Sequence, residues 1–121
     1  MKKVLDRSGS CIILVLIVGD ECYIANVGDS RAILSTCQGK PLFSLSRDHK
    51  PTDPNEQERI MKEGGKIYRT EMTKISGNKD DPTIGPLRVF PGKLSITRTV
   101  GDIEAKEKYF GGLPNCIITD P

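Results

Sequence analysis

The sequence predicts an α+β domain in which short antiparallel strands dominate. Two apolar runs, Cys11–Val18 (CIILVLIV) and Glu21–Val27 (ECYIANV), flank a Gly19-Asp20 pair. Further short apolar stretches recur between turn residues along most of the chain, a pattern of strands more than of helices. One helix stands out, started by Asp53-Pro54-Asn55-Glu56 and stopped by Gly64-Gly65.

Composition sets the outer bounds. The chain has 121 residues, which suits one domain. Hydrophobic residues make up 36% and charged residues 28%, a balance that favours a folded domain over disorder. Aromatic residues are only 5% and Trp is absent, so aliphatic side chains must fill the core. Lys plus Arg is 18 and Asp plus Glu is 16, a net charge of +2 with no long basic block. A nucleic-acid partner is therefore not expected. The sole histidine, His49, leaves no second one for a histidine-rich zinc site.

Cys11, Cys22, Cys37 and Cys116 contain no C-x-x-C pair, and they are expected to be buried and reduced. Lys2 and Lys3 precede an apolar run, but Asp6 and Arg7 interrupt the approach and no small-residue cleavage pattern follows. The run is also far short of the roughly 20 residues that span a bilayer. The expectation is an intracellular protein, cytoplasmic or nuclear, with no membrane partner.

The first element is a hairpin. Gly19-Asp20 suits a type II′ or I′ turn, which pairs Val18 with Glu21 and Ile17 with Cys22. Both faces of that hairpin are apolar, so it should be covered on both sides and sit centrally in a sheet. The same register separates Cys11 from Cys22 and argues against a disulfide. Ala32 to Thr36 and Pro41 to Ser46 read as two further strands around a turn at Gln38-Gly39-Lys40, continuing a meander.

Asp53 can cap the helix, Pro54 suits its first position, and Glu56 can reach back as a capping box. Few apolar residues follow (Ile60 and Met61), so a surface helix is expected. Lys66 to Tyr68 reads as a strand, Thr70 to Pro86 as a long polar loop, and Phe90-Pro91-Gly92-Lys93 as a type II turn. Leu94 to Val100 is extended, Ile103 to Tyr109 a helical turn ended by Gly111-Gly112, and Asn115 to Thr119 a last strand. The chain offers no helix long enough to cover the first hairpin, so a larger fold or a partner is expected to do so.

Three places hold residues with chemical potential. Asp29, between Gly28 and Ser30 at the end of an apolar strand, is either a turn former or a ligand held at the rim of a core. His49, in Asp48-His49-Lys50-Pro51, is either a proton shuttle or a loop histidine bonded to backbone. Arg98, in Thr97-Arg98-Thr99-Val100-Gly101-Asp102, is either a phosphate fork or the partner of a carboxylate such as Asp102.

Their order and spacing say more than each alone. Ser8-Gly9-Ser10-Cys11, Ala25-Asn26-Val27-Gly28-Asp29-Ser30-Arg31-Ala32, Asp48-His49-Lys50-Pro51, Glu58-Arg59-Ile60 with Gly64-Gly65, and Leu94 to Asp102 follow one another. In that order they resemble the metal-dependent serine/threonine protein phosphatases of type 2C. The resemblance runs from about Ser8 to Pro121 and corresponds to the central part of that family's catalytic domain.

The resemblance implies an antiparallel β-sandwich flanked by helices, here as a β-rich partial domain over residues 1–121 with a flap region at about 50–94. It implies hydrolysis of phosphoserine and phosphothreonine in a phosphoprotein substrate by a pair of Mg²⁺ or Mn²⁺ ions that activate a water. Asp29 matches a metal-linked aspartate, Ser30 and Arg31 support for that strand end, and His49 and Lys50 the entry to the flap. Arg98 and Asp102 match residues that close the flap structurally; no catalytic residue is assigned in this chain, and its substrate-binding residues are not identified. The family's Asp-Gly-His-Gly motif and its later aspartates have no counterpart here, so the chain alone is expected to be inactive. The alternatives are a non-catalytic phosphatase-like domain that binds a phosphoprotein or a regulatory partner, and a small β-rich binding domain of other ancestry.

Overall fold

A computed structural model of the chain describes residues 6–36, 41–72 and 83–121. Its strands are β1 (Gly9–Ser10), β2 (Ile12–Val18), β3 (Glu21–Val27), β4 (Ile33–Ser35), β5 (Leu42–Ser44), β6 (Lys66–Met72), β7 (Thr83–Phe90) and β8 (Val100–Gly101). Helix α1 spans Pro54–Lys62, α2 spans Ile103–Lys106, and a 3-10 turn covers Lys108–Phe110. Small antiparallel sheets and two helices meet the expected α+β class.

The first hairpin forms in the expected register, with Val18 opposite Glu21 and Ile17 opposite Cys22. Gly19 has φ +59° while Asp20 stays at negative φ, which fits type II′ of the two turns considered. The expected meander does not continue. β4 pairs with β5 in a separate ribbon, because Gly28 to Arg31 breaks the ladder after β3. The expected turn at residues 38–40 lies outside the described residues. The expected cover of the first hairpin is also not supplied by the described residues: Ile17 is 71% exposed and Leu14 53%.

The core lies elsewhere. Ile60, Val89, Ala105 and Ile117 are buried together, with Ile67 and Leu94 packed against them. These residues come from α1, β6, β7, α2 and the C-terminal segment, so residues distant in sequence close one small aliphatic core. Replacing a fully buried Ile such as Ile60 with Ala would cost about 2–5 kcal/mol.

Helix α1 starts and stops as its sequence dictates. The Asp53 carboxylate accepts from the backbone N–H of Asn55 and Glu56, and Pro54 occupies the first turn. At the other end Gly64 takes φ +83°, its N–H donates to Met61 O, and Gly65 N–H donates to Ile60 O. That double bond pattern satisfies carbonyls the helix leaves open. The expected capping box does not form, because the Glu56 side chain turns inward. Glu56 is 3% exposed and Ile60 0%, so the helix is a surface helix only on its Met61 side.

Part of the expected loop from Thr70 to Pro86 is strand. β6 runs to Met72 and β7 begins at Thr83, with a register shift between Arg69 and Glu71; residues 73–82 lie outside the described residues. The turn after β7 places Gly92 at φ +97°, as the Pro-Gly pair requires. Of the expected extended segment Leu94 to Val100, only Val100 is strand, in β8; Leu94 and Arg98 make single bridges, with bends at Ser95 and Thr97. The expected last strand from Asn115 to Thr119 is a single bridge of Ile118 to Arg98. The cysteines are free but not uniformly buried: Cys116 is buried, Cys11 half-buried and Cys22 exposed, while Cys37 lies outside the described residues. Among the described residues no helix is long and apolar enough to cross a membrane.

Candidate functional site

Asp29 stands at the mouth of a turn held by its neighbours. Gly28 takes φ +120°, a conformation that L side chains rarely adopt. Its N–H donates to Nδ1 of His49 at 3.2 Å, and its carbonyl accepts from His49 N–H at 2.9 Å. The Asn26 amide donates to the same carbonyl at 3.1 Å and to Arg47 O at 2.8 Å. A buried Asn–Gly–His clasp thus ties the end of β3 to the 47–49 segment.

His49 therefore takes the structural of its two readings. It is 7% exposed, its Nδ1 is spent as an acceptor, and its carbonyl accepts from Thr97 N–H at 2.9 Å. Burial, with Arg98 adding repulsion, pushes its pKa below the ordinary imidazole value, so the neutral ring is favoured.

Around the turn lies a chain of alternating charges. Arg31 grips Asp48 with two bonds, Nε to Oδ1 at 2.9 Å and Nη2 to Oδ2 at 2.8 Å. Lys50 Nζ donates to Asp48 Oδ2 at 3.0 Å and stands 3.6 Å from Asp29 Oδ2. The Arg31 hydrogen bonds, opposed by burial and helped by Lys50, hold the Asp48 carboxyl down at about 2. Arg31 thereby ties the turn after β3 to the segment that carries Asp48. The second oxygen of Asp29 accepts weakly from the Cys11 thiol at 3.8 Å.

Asp29 is the residue expected to hold a metal. Mg²⁺ and Mn²⁺ want several oxygen ligands. Among the described residues no group of three His, Cys, Asp or Glu side chains could hold an ion, and the charged group paired with Asp29 is the Lys50 ammonium. The described residues do not by themselves make a site for a hard divalent cation; Asp29 offers one exposed carboxylate at the rim.

Arg98 does not pair with Asp102. Its Nη2 donates to Glu56 Oε1 at 2.6 Å and its Nη1 to Asp120 O at 3.0 Å. Glu56 also takes Arg59 Nη1 at 2.7 Å and Nη2 at 2.8 Å, and accepts from the Thr97 hydroxyl. Burial pushes the Glu56 carboxyl up, but hydrogen bonds from Arg98, Arg59 and Thr97 outweigh it and hold it at about 2. With its fork filled by Glu56 and the carbonyls of Asp120 and Pro121, Arg98 is a tie between α1 and the 120–121 segment. Asp102, at φ +48°, bonds through its N–H to Ser8 O at 3.0 Å instead.

Sequence reasoning missed Glu56 as a hub. The available signal is the Glu56/Arg59 spacing of three on one helix face, whereas the capping-box expectation pairs Glu56 with Asp53. Asp29, Asp48 and Lys50 do come together; His49 sits behind them, and Arg98 and Asp102 belong to other contacts.

A turn carrying a rim carboxylate, backed by a strand hairpin and flanked by a helix-hairpin segment, makes up this part of an α+β domain. The protein phosphatase 2C family model matches residues 1–121, and the chain belongs to that family. It is similar to a probable protein phosphatase 2C 5 of Arabidopsis thaliana, 38% identical over 103 residues, covering 84% of this chain and 22% of that protein. A probable protein phosphatase 2C 69 of Oryza sativa subsp. japonica is 34% identical over 119 residues, 98% of this chain and 25% of that protein. A probable protein phosphatase 2C 6 of Paramecium tetraurelia is 38% identical over 94 residues, 78% of this chain and 25% of that protein. The chain thus spans about a quarter of the length of these relatives.

Proposed function

We propose that this chain is the central part of a domain that removes phosphate from phosphoserine and phosphothreonine in proteins, using Mg²⁺ or Mn²⁺. The observation that carries this reading is the family match over residues 1–121. In it, Asp29 contributes one carboxylate at the rim, and the clasp of Asn26, Gly28 and His49 keeps that carboxylate in place. Arg31, Asp48 and Lys50 hold the charge balance beside it. Residues 50–94, which hold α1 and the β6–β7 hairpin, act as the flap beside the cleft. The same reading takes the protein to act inside the cell.

The test compares the 121-residue chain with the same residues inside a complete domain of the family's length. Both are assayed on p-nitrophenyl phosphate and on a phosphothreonine peptide over a Mn²⁺ titration. Metal-dependent turnover by the complete domain and background turnover by the chain alone are expected. Turnover by the chain alone would overturn its inactivity. A complete domain that binds the phosphopeptide without turning it over would favour a non-catalytic phosphatase-like binder.

A further inference from the structure

A groove runs beside the Asp29 turn that none of the contacts above accounts for. Its volume is about 380 Å³, and Asp29, Lys50, Pro51, Arg69, Pro86 and Leu87 are among the residues that line it. One wall is the turn-and-clasp segment; the other is the β6–β7 hairpin. On that hairpin Arg69 stands directly opposite Leu87, so a cation and an apolar side chain share one face. The register shift between Arg69 and Glu71 lies next to that pair, and such irregularities re-aim the adjoining side chains.

We propose that this groove holds an acidic segment of the peptide on which the protein acts, and that Arg69 selects it. Among the described residues, the lining carries one carboxylate, Asp29, and two cations, Lys50 and Arg69. Lys50 is already engaged by Asp48 at 3.0 Å and Asp29 at 3.6 Å. Among the described residues, Arg69 is the cation the groove has beyond that balance, and it is exposed. A guanidinium takes a carboxylate with two parallel bonds, which gives direction as well as charge. Pro86, exposed, and Leu87, half-buried, offer apolar surface for the stem of a Glu or Asp side chain and the backbone that carries it. A nucleic acid fits less well, since the Asp29 carboxylate lies in the same groove and the chain's net charge is only +2. Only the description of the peptide as a substrate rests on the phosphatase reading.

Binding of unphosphorylated peptides separates the two. Fluorescein-labelled threonine peptides flanked on both sides by Glu, by Gln or by Lys are titrated against the intact protein and followed by anisotropy. The Glu peptide should bind about fivefold more tightly than the Gln peptide, the scale of one partly exposed ion pair. Arg69→Ala should reduce that preference to less than about twofold, Arg69→Lys should keep only part of it because an ammonium lacks the two-bond fork, and Arg69→Glu should shift preference to the Lys peptide. Thermal unfolding checks that each variant is folded, which the exposure of Arg69 favours. Equal binding of the Glu and Gln peptides, or an undiminished preference in folded Arg69→Ala, would overturn the proposal. Hydrolysis of the phosphorylated peptides is scored separately and bears on the phosphatase reading alone.

Discussion

Arg98 reaches back 42 residues to Glu56 and meets its carboxylate at 2.6 Å. Arg59, one helical turn from Glu56, closes on the same group, and the Thr97 hydroxyl completes it. One buried carboxylate therefore joins the helix, the segment before β8 and, through Arg98, the 120–121 segment. Two guanidinium groups around it would be left facing each other if it were removed.

Glu56→Gln should lower the free energy of unfolding by about 3 kcal/mol, the cost of breaking a buried charge network by deleting one partner. Urea unfolding measures it. A loss well below 1 kcal/mol would mean that the network is solvated and that α1 is held by Ile60 alone.

Acid should weaken the fold in a defined window. The Glu56 and Asp48 carboxyls sit at about 2, below their ordinary values of 4.5 and 3.8. Folded-state values that are depressed add stability that is complete above the ordinary values and is lost as pH falls through them towards 2. Unfolding midpoints measured from pH 6 to pH 2.5 should therefore drop most steeply below about 4.5, the ordinary Glu value. Glu56→Gln should flatten that slope, and an unchanged slope would reject the assignment.

His49 should titrate below its ordinary value of 6.5, since burial and then Arg98 disfavour its charged form. Because the folded value is depressed, its contribution is complete above 6.5 and declines as pH falls towards the folded value. Its ring proton shifts in an NMR titration give the midpoint directly. A midpoint at or above 6.5 would mean that Nδ1 is not held by Gly28 N–H.

Gly28→Ala should be strongly destabilising. At φ +120° a Cβ would lie 2.3 Å from the Cys11 sulfur and 2.6 Å from its Cβ. Backbone strain of this kind costs on the order of 1–3 kcal/mol before the clash is counted. Gly19→Ala, at φ +59° but with no atom within 4 Å of the new methyl, makes the control. Equal losses in the two variants would show that backbone conformation alone decides and that the Cys11 contact adds nothing.

Asp29→Asn, made in a complete domain, should weaken metal dependence while leaving folding nearly intact. The ion pair it loses with Lys50 is partly exposed and worth about 0–1 kcal/mol. Asn keeps the size and much of the hydrogen bonding but removes the charge that attracts a cation. The Mn²⁺ concentration for half-maximal turnover of a phosphothreonine peptide should rise about tenfold. Unchanged metal dependence would make Asp29 a turn former and nothing more.

The sequence by itself determined the local elements. The hairpin register followed from two apolar runs and a Gly-Asp turn, and the ends of α1 from Asp53, Pro54 and Gly64, because backbone hydrogen bonding and φ preferences act over a few residues. The order of its motifs was enough to recognise the family. The tertiary structure decided which side chains meet. Glu56 can cap its own helix or turn inward, and the choice depends on Arg98 arriving from 42 residues away. His49 likewise becomes a clasp only because Gly28 is folded against it, and Arg69 faces a groove only because β6 pairs with β7. Burial and charge pairing over such separations are properties of the packed chain, and no periodicity along the sequence carries them.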